Sequence, residues 1–352
     1  MNMQEKAMAN IIVKHLAGSH AYGTNIETSD VDYRGIFIAD DLTILSPFYN
    51  VEQVTDQTEE DTVYYELSKF VKLLVDQNPN IVESLWVDES DVLFKNQFYD
   101  FLRSNRDRLL SSKCAFTYSG YAISQLKRLK GHNKWINNPQ PVEPPQQYKF
   151  LSLIRNYTPM KMFKFDAEAF NVGRRLVPYG NDIYGVYGHS GYSIYNVDSG
   201  NINTIVEDGS EYENIHPDFI VKYNKDEYKV AKEKHKQYWD WKKNRNKTRS
   251  ELEEHFGYDT KHAMHLVRLL RMAKEILTEG VVHVKRPDAK ELLAIRNGKW
   301  NYDELIEWSE NMDNDIRTKY YPQTDLQKSV DLSWASELVR DIYFDYWGVD
   351  YY

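Results

Sequence analysis

Two short apolar runs, Ile11-Ile12-Val13 and Gly35-Ile36-Phe37-Ile38, stand either side of a turn-rich segment and predict core strands near 11–17 and 33–39. A third strand is predicted near 61–66, where Val63 and Tyr65 alternate with their neighbours. The period then changes: Leu67, Phe70, Val71 and Leu74 follow helical spacing, so this strand runs into a helix. Asn78-Pro79-Asn80 stops that helix and starts the apolar segment Ile81–Trp86. Helices near 97–110 and 116–130 follow, and then Pro139, Pro141, Pro144 and Pro145 force a loop. Between about 165 and 222, glycine, tyrosine and alternating β-formers predict hairpins. The remainder reads as helical, over about 225–247 and 258–279, with Gly280 as the residue past the second helix. Pro287 opens another helix carrying Leu292, Leu293 and Ile295, which ends in the turn Arg296-Asn297-Gly298. The pattern gives an α/β (α+β) chain in three parts: an α/β unit over 1–110, a helical and β-rich insertion with a basic segment over 111–250, and a helical region over 251–352.

At 352 residues the chain is long enough to bury a sizeable core. Its mean hydropathy of -0.67 suits a soluble protein, and no run approaches the ~20 apolar residues of a membrane span. Met1–Lys6 leads into no apolar signal core. The single cysteine, Cys114, excludes an internal disulfide or a cysteine zinc site, and it reads as a small buried apolar residue; a cytoplasmic location is expected. The net charge of -9 argues weakly against nucleic acid, but the two signs are segregated. Ten acidic residues lie between Glu27 and Asp61 against Arg34 alone, whereas Lys232, Lys234, Lys236, Lys242, Lys243, Arg245, Lys247 and Arg249 face only Glu233 and Asp240. The acidic segment suits a metal, the basic one phosphate.

Just ahead of the acidic segment, Gly18-Ser19 precedes Asp30-Val31-Asp32. Two residues apart in a strand, the carboxylates share a face and repel unless a cation lies between them; Mg²⁺ takes such oxygen ligands together with substrate phosphates. Gly18 lets backbone N–H groups approach a phosphate and Ser19 adds a hydroxyl donor. Asp61 becomes a third carboxylate if its strand neighbours that of Asp32, with Glu60 and Glu66 as competitors. Farther along, Lys261, His265 and Arg268 fall on one helix face, as a nucleotide or RNA phosphate site requires; the alternative is a solvated face. His262 and His265 lack further ligands at metal-binding spacing. Trp241, Lys242, Lys243 and Arg245 combine aromatic platforms with positive charge, suited to single-stranded RNA, or else form a lysine-rich helix whose aromatics face a core. The tyrosines of the middle segment either stack on bases or cover a thin core.

Several separated blocks occur in an order that resembles one family: Gly18-Ser19 with Asp30-Val31-Asp32, Glu66-Leu67 with Phe70, Asn78-Pro79-Asn80 with Glu83, and Tyr258-Asp259, Lys261-His262, His265 and Arg268-Leu269 with Ile295-Arg296-Asn297-Gly298. They resemble the RNA-repair-pathway nucleotidyltransferases of the DNA polymerase β superfamily, and the tyrosine- and asparagine-rich composition resembles a large-phage member. The resemblance implies a mixed sheet flanked by helices, two Mg²⁺ ions (or Mn²⁺) and attack by a hydroxyl on the α-phosphate of an NTP such as ATP. It implies that Asp30 and Asp32 hold both ions, that Asp61 helps hold the one that activates the hydroxyl, and that Gly18 and Ser19 grip the β- and γ-phosphates. The expected acceptor is an RNA 3′ end, plausibly tRNA. Nucleotidylation (AMPylation) of a protein, or a silent RNA- or nucleotide-binding module, are the alternatives.

Overall fold

The computed structural model describes residues 10–48, 51–55, 62–154, 163–203, 212, 214–244, 253 and 255–349. By its contacts the chain separates into two compact units, Met1–Ile136 with Thr248–Tyr352, and Asn137–Lys247.

The first unit holds strands β1 (Ile11–Ala17), β2 (Asp32–Phe37), β3 (Gln53–Thr55), β4 (Thr62–Glu66) and β5 (Val92–Lys95) in the spatial order β3-β4-β2-β1-β5. The sheet is mixed: β2 and β4 run parallel, with Tyr33 opposite Thr62 and Phe37 opposite Glu66, while the other pairs are antiparallel. Gly35 is needed in β2, because a Cβ there would lie 2.4 Å from the ring of Tyr64 on β4. Strand runs into helix at Glu66 as expected. Its carboxylate caps the helix Leu67–Val75 by accepting from the Ser68 backbone N–H, and it also accepts from the Tyr343 hydroxyl at 2.6 Å.

The helix Cys114–Asn137 starts earlier and ends later than the expected 116–130. Its Cys114 is fully buried. The helices Thr260–Glu279 and Leu332–Trp347 contribute to the same apolar core as β1 and β2, through residues such as Leu266, Leu270 and Ile342 packed with Val13 and Ile36. Gly280 ends the first of these in the left-handed region, at φ 67°. The turn at Gly298 (φ +82°) accepts no side chain either, since the Phe256 ring occupies the space.

In the second unit, β6 (Leu151–Leu153), β7 (Phe163–Lys164), β8 (Val172–Gly180), β9 (Ile183–Ser193) and β10 (Phe219–Tyr223) form an antiparallel sheet in the order β7-β6-β10-β9-β8. The β8–β9 hairpin turns through Asn181 and Asp182, both at positive φ (53° and 60°), as a tight two-residue connection requires. Tyr148, Tyr195 and Tyr223 are buried in this unit's small core, and the first two stack at 3.8 Å between ring centroids. Those tyrosines cover a thin core rather than offering platforms to bases. A helix then spans Lys225–Lys243. Among the described residues, no helix of either unit is long and apolar enough to cross a membrane.

Candidate functional site

β1 ends at Ala17, paired with Asp32, and the chain passes straight into a five-residue helix, Gly18–Tyr22, where a turn was expected. Gly18 has φ +56°, and a Cβ at this position would fall 2.0 Å from Asp32 Oδ2. Glycine is therefore required twice, by conformation and by the carboxylate lying on its α-carbon. Ser19 follows and is partly exposed.

Asp32 begins β2, but Asp30 lies ahead of the strand and is exposed, so the pair does not share a strand face as the alternation suggested. On the β1 side the ladder has no partner to offer it, because the pairing of β1 with β2 ends at Ala17 and Asp32. Residues 26–29 close a turn instead, with Ser29 N–H donating to the Ile26 carbonyl at 2.9 Å and Ile26 N–H to Ser29 Oγ at 2.9 Å. Asp61 and Glu60 lie outside the described residues. The strand that follows them is next to β2, and residue 62 pairs with residue 33, so the stated condition for Asp61, neighbouring strands, is met.

The face of the sheet that carries Asp32 also carries Ala17, His15 and Arg34, by register. Arg34, the one basic residue of the acidic segment, donates to the Asn80 carbonyl at 2.9 Å. Asn80 belongs to the Asn78-Pro79-Asn80 block, in which Asn78 caps the helix Pro79–Val82. His15 is buried, with Nδ1 bonded to the Leu16 carbonyl at 2.7 Å. Burial, only partly offset by that bond, together with Arg34 and Arg103 pushes its pKa down to about 4. Arg34 and His15 were legible only as an i, i+2 neighbour of Asp32 and as an unremarkable core histidine.

The proposed phosphate-binding stripe divides. Lys261 and His265 are partly exposed on the helix Thr260–Glu279, whereas Arg268 is 5% exposed. Its guanidinium donates to Glu83 Oε1 at 2.8 Å and lies 3.8 Å above the Tyr22 ring, while the Tyr22 hydroxyl donates to Glu83 Oε2 at 2.6 Å. Burial alone would lower the pKa of Arg268, but Tyr22 and Glu83 beside it raise it. Arg268 is thus committed inside the core, and it fixes the end of the short helix that begins at Gly18. Burial and the charge of Arg268 push His265 down to about 3, so it is neutral at physiological pH. Asp259 caps the same helix by accepting from His262 N–H at 3.0 Å.

In the second unit, Lys242 and Lys243 are exposed and Trp241 is half-buried beside Tyr238; Arg245 lies outside the described residues. Lys242 lies 5.1 Å over the Trp239 ring. One turn and more earlier on the helix is a cleft of about 710 Å³ whose lining mixes Lys229, Lys232, His235 and Lys236 with Glu233 and Asp240, beside Pro144 and Trp239. The sequence marked the lysines but not the cleft, because its far wall comes from the proline loop: His235 Nε2 and Trp239 Nε1 both bond the Pro141 carbonyl, at 2.9 and 3.0 Å.

Residues 1–143 match the family described as RlaP, RNA repair pathway DNA polymerase beta family. The uncharacterized 38.9 kDa protein in the nrdC-mobD intergenic region of Enterobacteria phage T4 is 30% identical over 129 residues, which is 33% of this chain and 38% of that protein. The chain therefore spans well under half the length of that curated relative. No solved structure matches. The mixed sheet, the glycine-serine start of the first helix and the Asp32 carboxylate all lie in the matched segment, and it is through these 143 of its 352 residues that the chain is similar to the RNA repair pathway DNA polymerase beta family.

Proposed function

We propose that this chain is a metal-dependent nucleotidyltransferase that moves a nucleoside monophosphate from an NTP to the 3′ end of an RNA, plausibly a tRNA, in repair or end maintenance. The observation that carries this reading is the contact of Gly18 with Asp32 Oδ2: a backbone stripped of its side chain adjoins a carboxylate, so bound phosphate and a cation would share one small volume. The donor set fits the ion. Asp30 and Asp32 offer oxygens only, which suits Mg²⁺, with Mn²⁺ as a substitute. In this reading Asp30, Asp32 and Asp61 hold two ions, which when bound neutralise phosphate charge and favour ionisation of the attacking hydroxyl.

The chain's own groups do the rest. Gly18 and Ser19 bind the β- and γ-phosphates, and Lys261 and His265 extend the nucleotide site. Arg268 acts indirectly, by holding Tyr22 and so the Gly18–Tyr22 helix. The RNA 3′ oxygen forms a bond to the α-phosphorus, the bond to the β-phosphate oxygen breaks, and pyrophosphate leaves. Trp241, Lys242, Lys243 and Arg245 bind RNA through charge and stacking.

Incubating wild type and Asp32→Ala with each labelled NTP, Mg²⁺ and total RNA tests this. Label on RNA with wild type alone is expected. Label on a protein instead would favour protein nucleotidylation, and RNA binding without any transfer would favour a silent module. Full activity in Asp32→Ala would end the metal-site assignment, and loss in Glu60→Ala but not Asp61→Ala would move the third carboxylate.

A further inference from the structure

We infer that His132, Glu253 and Asp259 form a second metal site, for a transition-metal ion of the Zn²⁺ class, distinct from the oxygen-only site at Asp30 and Asp32. One ligand atom from each of the three lies within 4.8 Å of the others. His132 Nδ1 is 3.8 Å from Asp259 Oδ2. Bonds of about 2.0–2.2 Å to a zinc ion place neighbouring donors roughly 3–4 Å apart, so little contraction is needed. Asp259 and Glu253 are 2% and 4% exposed. Two buried carboxylates this close favour a cation between them, and an imidazole nitrogen in the set selects a transition metal over Mg²⁺.

The residues are held by their surroundings rather than by chance proximity. Asn133, next to His132, donates to the Gly257 carbonyl at 2.8 Å, and Gly257 N–H donates to the Glu253 carbonyl at 2.7 Å. The end of the helix Cys114–Asn137 is thereby fastened to the turn that presents Glu253 and Asp259. His262 supplies the outer support that ligating carboxylates need: its Nδ1–H donates to Asp259 Oδ2 at 2.6 Å. A histidine pair at 262 and 265 had no partners at local spacing. The partners come from far along the chain, and His265 is not among them.

The position gives the site a purpose. The Asn137–Lys247 unit leaves the chain shortly after His132, and the chain returns shortly before Glu253. An ion bridging them closes this long excursion at its root, within the first unit, and stabilises the folded state by the free energy of its binding.

The test uses the full chain, stripped with chelator and reloaded with Zn²⁺ or Co²⁺, then measured by elemental analysis after gel filtration, by Co²⁺ absorption and by thermal unfolding. Wild type is expected to retain about one equivalent and to unfold at higher temperature when loaded. His132→Ala, at a partly exposed side chain, and Glu253→Gln should retain none, and their unfolding should not respond to the metal. Asp259→Asn, which keeps a capping oxygen, should behave likewise. His262→Ala should bind about 10–100-fold more weakly. Asp32→Ala should bind as wild type does. No retained metal in wild type, equal retention in His132→Ala and Glu253→Gln, or loss in Asp32→Ala would each overturn the assignment.

Discussion

The segments Gly18–Asp32 and Tyr258–Arg268 are both dense in polar residues, yet the fold spends them differently. In the first, Ser19 and Asp32 are partly exposed and Asp30 is exposed. In the second, Asp259 and Arg268 are drawn inside, one to cap a helix and the other to pair with Glu83. Both belong to blocks on which the sequence resembles a family, though only the first lies in the segment that matches it, so resemblance alone does not separate chemistry from architecture. Burial and partners do: a polar group whose bonds are already made to the protein has little left for a substrate.

Removing Asp32 should have the largest effect. Asp32→Ala is expected to lower transfer on the order of a thousandfold, since charge stabilisation by bound metal is worth several kcal/mol. Its unfolding should change little, because Asp32 is partly exposed at the first position of β2 rather than part of the apolar core. Steady-state transfer and urea unfolding of the same preparation check both halves. A large stability loss with transfer intact would place Asp32 among the architectural residues.

Arg268→Met should do the opposite. Stranding Glu83 in the core costs about 3–5 kcal/mol, measurable in urea unfolding, and the double variant Arg268→Met/Glu83→Gln should recover part of it. Unchanged stability with weakened NTP binding would return Arg268 to the phosphate site and erase the contrast.

How much of this could be read beforehand follows the range of the interactions. The passage of β4 into the helix Leu67–Val75 and the cap at Gly280 are set by neighbours a few residues apart, and the period shift and the glycine declare them. The Asp32 end of the acidic pair was equally legible. The strand start was not: Asp30 falls outside β2 because β1 stops at Ala17, a fact held by the partner strand. Arg268 and Glu83 are 185 positions apart, so helical spacing showed a cationic stripe without its buried partner. The helix Cys114–Asn137 buries one stripe, from Cys114 and Ala115 to Leu129, but carries Phe116 and Tyr121 on its exposed side, and those aromatics blurred the pattern.

Gly18→Ala should give an intermediate effect. A non-glycine residue at φ +56° costs about 1–2 kcal/mol, and the new Cβ must also displace the Asp32 carboxylate. Transfer should therefore fall more than the stability loss accounts for, and the deficit should be larger than that of Gly280→Ala, whose Cβ meets nothing nearer than 3.9 Å. Equal losses of transfer in the two variants would mean that the Gly18–Asp32 contact has no part in the chemistry.

The smallest effect concerns His15, on the Asp32 face of the sheet. Its folded pKa of about 4 lies below the ordinary histidine value of 6.5, so between these the unfolded chain binds the extra proton. The stability this histidine contributes is complete above about pH 6.5 and is lost as the pH falls toward 4, by at most about 1.4 kcal/mol per pH unit. His265, whose pKa of about 3 is depressed by burial and by Arg268, adds a loss of the same sign. Replacing His15 with Asn should flatten the slope of stability against pH between 6.5 and 4, and Arg268→Met should ease the charging of His265 while leaving that of His15 unaltered. Urea unfolding at half-unit pH steps separates them. A slope unchanged by His15→Asn would mean that the ring charges without cost, and that the Asp32 face of the sheet is more open to water than its packing indicates.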